Sequence, residues 1–260
     1  MSGKSLKSSL WALVFVLFIA GICSAQSVLY FPQFVDGPKA GSIMWRTAIA
    51  VTNSAAIGTP AVTGTIALMQ DDGTPMNVAL IDENGAPAGN TFQLAGGQTK
   101  FFISSAQAGS TDSPQLNTGY ATVTSDLPVS GDLVFLSGDA NGMTGMAGVS
   151  AATPLTSQAT VVVKDQNTNT GVAVANPGTE MATITIQLLD KAGTPIVEPV
   201  TQTLAANNHT SFLVTDVFPN VPDTVYGTMR ITSDKPIVST ALLFNGSTFA
   251  SLPVISHQSQ

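Results

Sequence analysis

Cysteine is almost absent from this chain: its 260 residues contain one, Cys23. Cys23 falls in an N-terminal leader, so a chain trimmed of that leader holds no thiol and can form neither a disulfide framework nor a thiolate metal site. Histidine is nearly as scarce, with His209 and His257 only. A serine hydrolase needs a nucleophile beside a histidine base, and no Gly-x-Ser-x-Gly elbow occurs. His209 lies in the turn-like segment ANNHT and His257 in the polar ending SHQSQ, which places both at the surface and outside any usual zinc-ligand spacing.

Charge is also in short supply. Only 10% of residues are charged, and 9 basic against 16 acidic residues give a net charge of −7. Lys4 and Lys7 are the only charges in the first 25 residues, so the remainder sits near −9. Such a surface repels phosphate backbones, which argues against nucleic acid as a partner. Long apolar runs are missing after residue 25, although 44% of the chain is hydrophobic. No later stretch approaches the ~20 continuous apolar residues a spanning helix needs, so no membrane span is expected in the mature chain. Low net charge with high apolar content also excludes intrinsic disorder as the general state.

The leader itself has a basic start, an apolar core from Leu10 to Ile22, and the small residues Ser24 and Ala25 at its end. This is the pattern of a secretory signal with cleavage after Ala25. Two alternatives stay open: an uncleaved anchor, although the run is short for a span, and lipidation of Cys23, although Ile22 replaces the small residue that normally precedes a lipidated cysteine. The expected location is secreted, periplasmic or at the cell surface.

What is abundant is short β-patterned sequence, and one unit of it occurs twice. GYATVTSDLPVSGDLVFLSG, from Gly119 to Gly138, returns without a gap as GTMRITSDKPIVSTALLFNG, from Gly227 to Gly246. Asp126 matches Asp234 and Pro128 matches Pro236, a constant offset of 108. In each copy an alternating run leads into Ser-Asp-x-Pro, where Asp bonds backbone ahead of it and Pro lacks the N–H of a central strand. A second β-branched run follows, which predicts a strand, turn, strand unit.

The similarity extends outward. Ala173 to Asn176 answers Ala50 to Asn53, TITIQLLDKAGTP answers TGTIALMQDDGTP, and LAANNHTSFLV answers LAGGQTKFFIS. The sequence therefore predicts an all-β protein of two tandem antiparallel β-sandwich domains, immunoglobulin-like in shape, after a signal peptide. The expected limits are 1–25 for the leader, 26–154 for the first module and 155–260 for the second, with the boundary in SAATPLTS. Ile66 and Leu68, and Ile184, Ile186 and Leu188, are expected to face the inter-sheet cores. VLYFPQFVDG, from Val28 to Gly37, reads as an edge strand because of Pro32, with a turn at Asp36-Gly37.

FPQFVDG, the strands ending in Asn53 and Asn176, the DDGTP turn and the TSDxP hairpin together resemble tandem immunoglobulin-like β-sandwich modules of uncharacterised secreted bacterial proteins. The resemblance covers most of the mature chain. It implies architecture and transfers no catalytic or binding residue.

Function is expected to lie in loops. The first module carries extra residues between Pro75 and Leu94, which singles out Asp82, Glu83, Asn84 and Asn90 as a ligand or partner loop. A second candidate is the stretch Gly138 to Gly145, with Asp139, Asn141 and the adaptable Met143. Asp71, Asp72, Asp82 and Glu83 are the carboxylates a glycosidase would draw on, but all stand where turns use acids for backbone bonding. Asp165, Asn167 and Asn169 alternate like the first calcium ligands of an EF-hand, yet Gly171 comes one residue late and Asn176 stands where the bidentate Glu belongs, so a hairpin loop is expected. Phe31, Phe34 and Trp45, or Phe101 and Phe102, would serve as a sugar-stacking platform if exposed and as core if not. No cofactor is implied.

The resulting expectation is an exported, non-catalytic repeat protein with a structural, adhesive or recognition role at the cell surface or in the matrix. Its partners would be envelope or matrix polysaccharide or another surface protein. The rivals are a hydrolase or carbohydrate-binding accessory module, and a filament subunit assembled by strand addition with Val28 to Val35 as donor. The sequence is silent on oligomeric state.

Overall fold

A computed structural model describes residues 26–39, 43–105, 115–139 and 142–257. Residues 1–25, with Cys23 and the expected leader, and Asn141 lie outside the described residues. The chain is built almost wholly of antiparallel strands, and among the described residues the only α-helix is the single turn Val214–Val217. No helix there is long and apolar enough to cross a membrane.

The first half contains β1 (Ser27–Lys39), β2 (Ile43–Thr52), β3 (Val62–Gln70), β4 (Leu80–Ile81), β5 (Thr91–Leu94), β6 (Thr99–Ser104), β7 (Asn117–Ser125), β8 (Ser130–Asp139) and β9 (Gly142–Ser150). One sheet runs β1-β7-β3-β5, and the facing sheet runs β4-β6-β2-β8-β9. The second half contains β10 (Leu155–Lys164), β11 (Thr168–Ala175), β12 (Ala182–Asp190), β13 (Val200–Leu204), β14 (His209–Leu213), α1 (Val214–Val217), β15 (Val225–Asn245), β16 (Thr248–Leu252) and β17 (Val254–Ser256). Its sheets are β13-β12-β15-β10-β17 and β14-β11-β15-β16, with β15 long enough to serve both. Every strand ladder lies within β1–β9 or within β10–β17.

Alternation decides which face each strand buries, because successive side chains point to opposite sides. In β12 the isoleucines Ile184 and Ile186 and Leu188 are fully buried, while Thr183 and Thr185 point outward. Ile66 and Leu68 do the same in β3. Each such side chain contributes roughly 1.5–3 kcal/mol when taken fully out of water. With no cystine in either half, this burial is the main source of stability.

β1 behaves as an edge strand in the sheet with β7, and its register shifts between Phe31 and Phe34, where Pro32 sits. The expected turn at Asp36-Gly37 is instead a crossover: β1 leaves β7 at Asp36 and pairs with β2 from Gly37 onward. Gly37 has φ of 112°, and a Cβ there would collide with the Gln115 carbonyl, so the crossing requires glycine. The Val28–Val35 segment is thus already seated in its own module, with Phe31 and Phe34 in the core.

The two halves share buried polar fastenings at matching positions. The fully buried Thr47 hydroxyl accepts from the Val35 amide (3.1 Å) and donates to its carbonyl (2.7 Å), and Thr170 clasps Val163 identically at 3.0 Å and 3.0 Å. Asp126 does not bond ahead within its own turn as its main contact. Its carboxylate reaches across to β3, accepting from the Thr63 amide (2.8 Å) and hydroxyl (2.7 Å), as Asp234 accepts from the Thr183 amide on β12 (2.7 Å). The Ser-Asp-x-Pro turn is therefore pinned to a neighbouring strand, a long-range bond that a local reading of turn chemistry does not supply.

Candidate functional site

The segment Asp82 to Asn90 is a folded hairpin extension. Its turn has the same build as those at Asp71–Pro75 and Lys191–Pro195. Gly73, Gly85 and Gly193 have φ of 81°, 83° and 82°, and an acidic side chain caps each turn from inside. Asp82 accepts from the amides of Asn84 (2.9 Å) and Ala86 (2.8 Å), and Asp190 accepts from those of Ala192 and Thr194 (both 2.8 Å). Asp72 accepts from the Thr74 amide (2.9 Å) and hydroxyl (2.6 Å). Asp82 is thus committed to its own turn, Glu83 and Asn84 are exposed at its tip, and the Asn90 carbonyl accepts from the Ile66 amide (2.7 Å). A signal for this was present in the sequence: ALMQDDGTPM, 67–76, recurs twelve residues later as ALIDENGAPA, 79–88.

The other predicted loop is also mostly strand. Asp139 ends β8 opposite Gly142, and Met143 is exposed on β9. The aromatic platform is likewise corrected: Phe31, Phe34 and Phe102 are fully buried, and only Phe101 of that set is exposed. In the Asp165 hairpin the carboxylate accepts from the amides of Asn167 (2.9 Å) and Thr168 (2.8 Å) and so serves the turn, while the Asn169 amide donates to Thr215 of α1 (3.0 Å).

The feature that sequence reasoning missed is the junction between the two halves of the chain, and it is built around His209. The turn before β14 takes a left-handed residue at Asn207, φ 59°, which asparagine tolerates. That turn sets His209 at the head of β14 on the outer face of its sheet. His209 is not a surface residue there, being 3% exposed. Nδ1 lies 2.7 Å from Asp71 Oδ1 and Nε2 3.0 Å from Gln33 Oε1, both in the first module. The His209 amide also donates to the Asp71 carbonyl (3.1 Å), and Thr118 donates to Asp71 Oδ2 (2.7 Å). The Asn208 amide, turned to donate, reaches the Asp72 carbonyl at 3.0 Å. The DDGTP turn of one module is in this way sewn to the ANNHT turn of the other.

Apolar packing continues from this polar seam. Leu242 and Phe249 of the second module belong to the first module's core, with the Phe249 ring 4.9 Å from Trp45. Tyr120 packs with Ala175 and Val238, and Ala152 of the connecting segment donates its amide to the Tyr30 carbonyl (2.7 Å). Burial, then the neighbouring Tyr30, push Tyr120 up to about 12, so it stays neutral throughout the ordinary pH range. Beside the seam lies a cleft of about 290 Å³, walled by Trp45 and Phe135 from one side and Phe212, Leu242 and Phe244 from the other. Asp216 is the one carboxylate on its lining, and it accepts from the Leu213 amide (2.8 Å). Among the described residues no three of His, Cys, Asp and Glu gather closely enough to hold a metal.

Burial alone would raise the Asp71 carboxyl, but hydrogen bonds from His209 and Thr118 and the His209 charge together hold it below its usual 3.8. A lowered folded value means that Asp71 contributes stability in full above 3.8 and loses it as the pH falls below that value. The expected result is a seam that loosens in acid. The measurement is protease cleavage within 151–154: it should accelerate below pH 4 in the native chain, and in a His209→Ala variant already at neutral pH. Equal resistance of the two proteins across the range would show that the seam does not hold the modules.

Chemically, the junction is a fastening and a shallow apolar recess. Both ring nitrogens of His209 are engaged, one with Asp71 and the other with Gln33. No model of a known protein family matches this chain, and no curated protein matches it either.

Proposed function

We propose that this chain is an exported, non-catalytic structural or recognition element of the cell surface or extracellular matrix, made of two immunoglobulin-like sandwiches held at a set angle. The observation that carries this reading is the His209 seam, in which the chain's one buried imidazole is consumed in joining the modules. The acids that a hydrolase would use are consumed in turns: Asp72 and Asp82 cap their own backbones, and Asp71 holds His209 and Thr118. What the fold displays to a partner is a rigid pair of faces and hairpin tips.

A second reading, a carbohydrate-binding accessory module, is favoured by the cleft whose walls carry Trp45, Phe212 and Phe244. Aromatic faces stack on sugar rings while Ser211 and Thr240 at the same cleft supply hydroxyl partners. One experiment separates the two. The mature protein is tested against a panel of polysaccharides and against its own cell envelope, by pull-down and by tryptophan emission. Envelope retention with no change in emission supports the first reading, and saturable quenching by a soluble oligosaccharide supports the second. Neither retention nor quenching would overturn both.

A further inference from the structure

The duplication leaves half of each junction surface uncovered, and the geometry points to a second copy of this chain as its occupant, docked head to tail through a repeat of the internal junction. The strand registers establish the equivalence. β11 pairs with β14 as Ala175↔His209, Ala173↔Ser211 and Gly171↔Leu213, and β2 pairs with β6 as Thr52↔Thr99, Ala50↔Phe101 and Ala48↔Ile103. On the other side Gly171↔Leu242 corresponds to Ala48↔Val134, and Phe244↔Phe249 to Leu136↔Met146. The outer face of β14-β11-β15-β16 is the face the first module covers, through His209, Ala175, Val238, Leu242 and Phe249. Among the described residues, the matching outer face of β6-β2-β8-β9 has nothing packed upon it from the second half.

That uncovered face carries an apolar row through its middle, flanked by Asp132 with Ser150 on one side and Arg46 on the other. Ile81, Ile103, Ala48, Val134 and Gly148 form one continuous cross-strand row, with Phe101 (42% exposed) on one side of it and Met146 (60% exposed) on the other. Soluble sandwiches ordinarily put polar residues on an outer face, so a row of this kind marks a contact surface.

The complementary half is equally bare at the far end of the molecule. β10 and β15 repeat the pairing of β1 and β7, so that Val163↔Tyr226 corresponds to Val35↔Thr118. Val161 then stands where Gln33 stands, Tyr226 where Thr118 stands, and Ile255 beside Ala159 where Ala152 stands beside Tyr30. All three are exposed, at 50%, 54% and 61%, although their counterparts Gln33, Thr118 and Ala152 lie at the internal junction. Apolar side chains have replaced the polar pair Gln33 and Thr118, as Thr99 has replaced His209 on the opposing face. The second junction therefore relies more on apolar contact than the first, with Thr99 and Lys191 where His209 and Asp71 stand and with Arg230 beside Ala159 on the same face. A heterologous contact of this type does not close on itself, so it propagates into a chain of copies. Strand exchange plays no part in it, and it stands whether or not the protein binds polysaccharide.

The test uses the exported form of the chain with two variants, Phe101→Asp in the first face and Tyr226→Asp in the second. Both positions are exposed, and unchanged dichroism and melting temperature verify that each variant folds. Sedimentation of the native chain is expected to show association that grows with concentration, and each variant is expected to weaken it at least about tenfold, the usual loss at a central contact. Mixed together, the two variants each retain one intact half, so they should form a discrete dimer that does not extend. A native chain that stays monomeric at millimolar concentration, association that neither variant weakens, or a mixture that yields no dimer would each overturn the proposal.

Discussion

Replacing Asn176 with alanine is expected to cost about 3–4 kcal/mol, the largest loss available from a single polar side chain here. Asn176 is completely buried at the end of β11. Its amide donates to the carbonyls of Glu180 (2.7 Å), Leu204 (3.0 Å) and Ala205 (3.1 Å), and its oxygen accepts from the Gly178 amide (3.0 Å). Truncation removes a bond from four backbone groups, of which the Ala205 carbonyl keeps the Asn208 amide (3.1 Å) and the Leu204 carbonyl is the most deeply buried, and buried groups are far more costly unpaired than paired. The equivalent Asn53 makes fewer bonds, to the Leu94 carbonyl (3.0 Å) and from the Ala55 amide (3.1 Å), so Asn53→Ala should cost about half as much. Urea denaturation of the two variants checks both the size and the order. Equal, small losses would mean that water enters and satisfies the turn.

The second large effect is steric. A Cβ on Gly119 would fall deep inside the Met69 carbonyl oxygen, and one on Gly227 inside the Leu189 carbonyl oxygen. These contacts are with backbone, at the last pair of the β7–β3 and β15–β12 ladders, so no side-chain rotation relieves them. Gly119→Ala is expected to destabilise the first module by about 3 kcal/mol, at the upper end of ordinary overpacking, and Gly227→Ala the second by a similar amount. Gly148→Ala is the control, since its Cβ would meet nothing nearer than the Leu133 carbonyl at 4.0 Å. Thermal melts of the three proteins should show two low midpoints and one unchanged. If Gly148→Ala fell as far as the others, strand propensity rather than close approach would be the cause.

These glycines open the repeated unit, which is why the duplication was so readable. Positions such as Gly119 and Gly227, Asn53 and Asn176, and Asp126 and Asp234 are held by contacts that permit few residue types, and all of them stand out when the halves are aligned. The alternation of Ile184, Ile186 and Leu188 with threonine likewise states which face is buried. What was not legible is anything requiring one half to be placed against the other. His209 looks like a turn residue because its partners Gln33 and Asp71 are 176 and 138 positions away. The insertion after Pro75 looked like a free loop because its repeat, at twelve residues, is shorter than the module repeat that dominates the comparison. Phe31 and Phe34 were ambiguous because an aromatic in an edge strand packs inward or outward according to register, and the bulge at Pro32 sets that register.

β15 has a bearing on the order in which the molecule takes shape. It is the last long strand, yet β10, β11, β12 and β16 all find their partner along its 21 residues. Neither sheet of the second half can be completed until β15 has left the ribosome, and non-local ladders of this type form slowly. The second half therefore completes its sheets only when synthesis is nearly done, whereas β1–β9 have all their partners about a hundred residues earlier.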